Sequence, residues 1–102
     1  MLNERRARLA YEAAGDVARI EVEGAAEARG GAAEAMASLL LDAKGALVGV
    51  DLGGEGLSRM VVMVGAHEDV ASTRETIVGL VRDTRGEPRE IRVANARATI
   101  LV

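Results

Sequence analysis

The chain has 102 residues, a formal net charge of −3 and no cysteine. That length fits one domain with a modest core, and the missing thiols exclude disulfides and thiolate metal sites. Its apolar runs are far shorter than the ~20 residues of a membrane helix, and residues 1–8 have no apolar stretch behind their arginines, so a cytoplasmic chain with no membrane partner is expected.

Nearly half the residues are hydrophobic, yet Tyr11 is the only aromatic. The core must therefore be built from Ala, Val, Leu, Ile and Met, which bury less area each than a ring does. Help from self-association is expected on that ground. Residues 32–69 carry six acids against two bases, and residues 70–102 carry six arginines against four acids. Neither block is polybasic and no aromatic platform accompanies them, so nucleic acid is not an expected partner.

In chain order, Ala7, Leu9 and Tyr11 alternate with Arg6, Arg8 and Ala10. Ala18, Ile20 and Val22 then alternate with Arg19, Glu21 and Glu23. Period two with one apolar face predicts two strands, joined at Glu12-Ala-Ala-Gly15. The stretch Gly24–Met36 is rich in alanine, the best helix former, but Gly30-Gly31 interrupts it at about 1 kcal/mol each. It reads as a connection with at most a short helix or turn. Ala37-Ser-Leu-Leu-Leu41 and Ala46–Leu52 form a second hairpin around Asp42-Ala-Lys-Gly45, and Arg59–Val64 is apolar on both faces, as a central or covered strand is. Residues 66–75 read as a loop or a single helical turn. A third hairpin pairs Thr76–Arg82 with Arg89–Val93 around Asp83-Thr-Arg-Gly86, and Pro88, lacking an N–H, belongs at a strand start or edge. Arg97-Ala-Thr-Ile-Leu-Val102 is a candidate last strand.

All three turn sequences have an acid, two residues and a glycine. An acid at the first position of a type I turn accepts backbone N–H bonds, and a glycine at the fourth takes positive φ and forms a bulge. The unequal intervals between Gly15, Gly45 and Gly86 exclude a solenoid repeat.

Tyr11-Glu12-x-x-x-Asp16, Ile20-x-Val22 and Leu39-Leu-Leu-Asp42-x-x-Gly45-x-Leu47-Val48-Gly49-Val50-Asp51-Leu52 resemble short bacterial proteins grouped as domain of unknown function 2283. The similarity spans residues 11–52, with an Ala/Gly-rich insert and a turn one residue shorter than the pattern. It implies a small β-rich fold and carries no functional residues.

Among candidate sites, His67-Glu68-Asp69 places three potential metal ligands in a row after an apolar strand. Consecutive residues of an extended segment point apart, whereas a metal needs convergent donors, so an exposed loop is the competing reading. Gly53-Gly54-Glu55-Gly56 lacks the Lys-Ser/Thr ending of a phosphate loop, and Glu55 would repel an anion. Glu21, Glu23 and Asp51 fit solvated strand faces. Ser38, Ser58, Ser72 and Thr73 lack a nucleophile elbow, and Arg5, Arg6 and Arg8 fit a solubilised edge strand.

Together these features predict an all-β domain over residues 1–102: antiparallel hairpins in a meander-like sandwich or partly closed barrel, with seven or eight short strands and at most one short helix. The predicted core is Leu9, Ile20, Val22, Leu39, Leu41, Val48, Val50, Val62, Val64, Val78, Leu80, Ile91 and Val93. The expected function is a non-enzymatic, cofactor-free interaction or structural module that self-associates, with the strand 97–102 as one pairing edge. The alternative is a small-ligand or metal-binding module at His67, Glu68 and Asp69.

Overall fold

A computed structural model describes residues 2–53 and 59–100. Seven strands form one closed barrel: β1 (Leu2–Glu12), β2 (Val17–Val22), β3 (Ala33–Leu41), β4 (Leu47–Gly53), β5 (Arg59–Met63), β6 (Ser72–Arg82) and β7 (Pro88–Ala94). Around the barrel their order is β1-β2-β7-β6-β3-β4-β5. β3, β4 and β5 form a meander, and β6 then returns to pair with β3, which is a Greek key. All neighbours are antiparallel except β1 and β5, whose parallel pairing, Leu2↔Arg59 to Arg6↔Met63, closes the ring. The fold is thus the all-β class expected, in the barrel form of the two architectures and closed all the way round.

Alternation sends one residue in two inward. Ile20, Leu39, Val50, Val62 and Ile91 are completely buried, and Ala18, Ala37, Val78, Leu80 and Val93 complete the lining. Barrel width grows with strand number, and eight strands leave just enough room for side chains. Seven strands enclose still less, so aliphatic side chains fill the interior without rings. A second cluster, Leu40, Val48, Val61 and Met63, lies outside the barrel on β3–β5, covered by Val70 of the β5–β6 connection. Gly49 sits between Leu40 and Met63 there. A Cβ on it would come within 2.8 Å of the Val62 carbonyl oxygen, so glycine is required.

Several expectations need correction. Residues 33–36 belong to β3, because pairing with β6 outweighs the helix preference of alanine. Likewise β6 starts at Ser72, and only His67–Asp69 of the preceding segment coils, as a 3₁₀ turn. Arg97–Ile100 is a short helix, α1, and no strand; residues 101–102 lie outside the described residues. Its first N–H groups are taken by Asp16: Ala96 donates to the Asp16 carbonyl (3.2 Å) and Arg97 to its Oδ1 (2.8 Å). Ala96 is buried and Ile100 packs on the interior cluster, so α1 plugs the barrel end nearest the β1–β2 turn. Leu9 is 37% exposed, because β1 outruns β5 beyond Arg6 and nothing flanks it there. Val22 and Val64 are half-buried.

The second and third turns have one geometry. Asp42 Oδ1 accepts the N–H groups of Lys44 and Ala46 at 2.9 Å, and Asp83 Oδ1 those of Arg85 (2.9 Å) and Glu87 (3.0 Å). Gly45 and Gly86 follow at φ +86° and +83°, the bulge conformation only glycine adopts cheaply. The first turn departs from the expectation. Asp16, not Gly15, takes positive φ (51°), a region aspartate tolerates. The longer Glu12 gives its carboxylate to Arg19 instead of to the turn.

Asp83 does more than Asp42. The β2–β3 connection crosses the β6–β7 turn as a strap, and Asp83 Oδ2 accepts the Ala26 N–H at 3.1 Å. Backbone bonds from Arg29 to Arg82 and from Thr84 to Glu27 (both 2.9 Å) flank this contact. Asp83 is completely buried, whereas Asp42 is half-buried and its carboxylate serves its own turn alone. Asp83→Ala should therefore lower the melting temperature by roughly 10 °C or more, since three enclosed backbone donors lose their acceptor, and Asp42→Ala by about half as much. Thermal unfolding followed by circular dichroism checks the ranking; equal losses would mean that the strap contact contributes nothing.

Candidate interaction surface

Closure leaves the barrel with an outer face whose residues are fixed by strand parity. Two regions of that face differ sharply in chemistry.

Across β1, β2 and β7 the outward residues are charged and tied to one another. Arg19 donates to Glu12 (2.9 Å) and Glu90 (2.7 Å), Arg8 to Glu21 (3.4 Å), and Arg92 Nε to Glu90 (2.6 Å). Glu90 is buried, because the neighbouring arginines and the strap roof it. Burial pushes its carboxyl up, but the hydrogen bonds and charges of Arg19 and Arg92 outweigh that and hold it below the usual carboxylate range. The same contest plays out at Asp83: burial raises, while bonds from Ala26, Glu87 and Arg85 and the Arg85 charge lower, with a net depression. A half-open groove of about 740 Å³ runs between this lattice and the strap.

Across β3 and β6 the outward residues are different. Met36 and Ile77 are direct cross-strand partners and are 61% and 53% exposed. They are flanked along the strands by Glu34 opposite Gly79 on one side and Ser38 opposite Glu75 on the other. On β7 and β2 the exposed Ala94 and half-buried Val17 pair next to each other. No other cross-strand pair among the described residues exposes two large apolar side chains to solvent.

The residues singled out in the sequence are dispersed. His67, Glu68 and Asp69 form an exposed 3₁₀ turn, and the imidazole Nδ1 lies 3.1 Å from Glu4 Oε1 on β1. Among the described residues no three His, Asp or Glu side chains converge as a metal-holding group. Asp51 faces outward, nearly buried, and binds Arg59; Glu21 binds Arg8, and Glu23 is exposed, so these three carboxylates do not meet. Ser38, Ser72 and Thr73 lie on β3 and β6, while Gly54–Ser58 lie outside the described residues. Arg5 and Arg6 do not guard an edge, since β1 pairs with β5 there, whereas Arg8 lies beyond that pairing and binds Glu21. Arg5 reaches both oxygens of Glu87 at 3.1 Å, pinning the third turn to β1, and Arg6 donates to the Gly65 carbonyl at 2.7 Å. The sequence does not single out the Met36–Ile77 pair, because Met36 falls in a stretch that reads as a connection and Ile77 in a run whose Val78 and Leu80 read as core.

The chain has no match among family models, curated proteins or solved structures. Among the described residues no helix is long and apolar enough to cross a membrane.

Both depressed carboxyls give the same acid response. A folded pKa below the unfolded value (~3.9 for Asp, ~4.3 for Glu) stabilises the fold above that value, and the contribution disappears as pH falls through the folded pKa. Stability should therefore hold from neutrality to about pH 5 and decline below about pH 4. In Glu90→Gln the decline should be shallower, from a lower starting melting temperature. Thermal melts across this range check both statements.

Proposed function

We propose that this protein is a non-enzymatic interaction module that self-associates, through the outer face of β3 and β6. The observation that carries the reading is the pair Met36 and Ile77, opposite each other and more than half exposed. Single exposed hydrophobics are ordinary on any surface. Two paired on one strand face, beside a lattice that ties up the charges of its own face, mark a place for contact. Methionine also adapts its shape to a partner at little cost. The core points the same way: without aromatic rings it buries little area per residue, and burying an outer face by association adds to it.

The charged side of the barrel suits a non-catalytic role. Glu90, its most enclosed carboxylate, is held ionised by two arginines, so it serves as a tie and not as a proton donor at neutral pH. Closure also determines how copies meet. Every strand has a neighbour on each side over at least part of its length, which favours association through faces over edge pairing.

Sedimentation velocity or light scattering at high micromolar concentration should give a dimer or larger species. Met36→Lys and Ile77→Lys should each return a monomer with the wild-type circular dichroism spectrum. A wild-type protein that stays monomeric overturns the reading.

A further inference from the structure

We infer that a second copy of this chain docks on the β3–β6–β7 face about a two-fold axis running along β6 through Ile77, so that Glu34 of each copy meets Arg92 of the other. This rests on the self-association reading above and adds its geometry. The pairing registers place Glu34 on β3, Gly79 on β6 and Arg92 on β7 side by side in one row across the sheet. The acid and the base therefore stand at equal steps on either side of β6, with no side chain between them. The next outward row holds Met36 on β3 and Ile77 on β6, and Ala94 lies two residues beyond Arg92 on β7.

A two-fold axis lying in the interface along β6 exchanges the left and right neighbours of that strand and leaves position along it unchanged. Ile77 then meets Ile77 of the other copy on the axis. Glu34 faces Arg92 of the other copy, and the reciprocal pair forms by symmetry, as an isologous interface requires. Gly79 adds no side chain of its own between the two ion pairs, and the side chains of Arg92 and Ala32 lie beside it. Two sheets facing each other with aligned strands, about 10 Å apart, is one of the two standard packing modes.

The face is therefore self-complementary: it carries an apolar centre and one charge of each sign placed evenly about a strand. That favours a second copy over a partner of a single charge. Arg92 is equipped for the role. Its side chain is 48% exposed, and it gives Nε to Glu90 while the guanidinium carries further donors. Glu34 is exposed. A standard interface takes about 800 Å² from each partner, a modest share of the 6071 Å² this chain presents.

The lack of cysteine makes the test clean. Ile77→Cys, placed on the axis, should be joined to its symmetry mate by a thiol-specific bismaleimide with a spacer of about 8–10 Å, the separation of facing sheets, while Ala10→Cys on the outer face of β1 should not. Glu34→Arg should weaken the dimer at least tenfold, and adding Arg92→Glu to it should restore the wild-type association. If Arg92→Glu disturbs Glu90 and the fold, the Ile77→Cys crosslink alone decides. A dimer by light scattering that gives no Ile77→Cys crosslink and ignores Glu34→Arg overturns this geometry and leaves self-association standing. A wild-type monomer overturns both.

Discussion

The parallel pairing of β1 with β5 is the contact on which the rest of the structure depends. Six of the seven junctions are antiparallel: four join consecutive strands, one is the Greek-key return of β6 to β3, and one pairs β2 with β7 across the chain. The seventh must bring residues 2–6 against residues 59–63, and no turn helps it. Without it the sheet would open between these strands, exposing Val62 and the interior residues behind it. Closure has a functional consequence as well. Over residues 2–6 both neighbours of β1 are in place, and that stretch is closed to the edge pairing through which β-proteins most easily join.

The local part of the fold was legible. Period-two alternation marked β1, β2, β4 and β7, and Asp-x-x-Gly marked the turns at Asp42 and Asp83, because side chain and backbone there form a closed local unit. The first turn read alike but uses Asp16, since a glutamate at position 12 is one methylene too long for that unit and has Arg19 beside it. Ala33–Met36 was hidden by composition: alanine prefers helix by a few tenths of a kcal/mol per residue, and a full ladder with β6 outweighs that. Arg97–Ile100 failed in the opposite sense. Its β-branched residues read as strand, but Asp16 takes the Ala96 and Arg97 N–H groups and caps it as a helix across the barrel end.

The site was less legible, for a physical reason. Which face of β3 and β6 is wet depends on where the barrel axis runs, and the axis is set by closure between distant segments. Met36 and Ile77 face solvent although each is as apolar as the residues lining the core. His67 likewise finds Glu4, 63 positions away, and not its acidic neighbours Glu68 and Asp69. Adjacency along the chain thus does not by itself decide which partner a side chain on such a turn finds.

The two halves of the outer face are suited to opposite tasks. On β1, β2 and β7 Arg8, Glu12, Arg19, Glu21, Glu90 and Arg92 are tied to one another, and Arg6 and Arg89 to backbone carbonyls. A partner seated there would have to strip water from pairs that gain little from it, because desolvation offsets the attraction of buried ion pairs. On β3 and β6 the situation reverses: covering Met36 and Ile77 releases water at about 25 cal/mol per Å² and breaks no existing bond. Where the regions meet, at Glu34, Gly79 and Arg92, the charge is sparse and asymmetric across a strand, which orients a contact without dominating its energy. Lattice and apolar pair together thus leave one face on which contact costs little, and they set the direction in which a second sheet would lie on it.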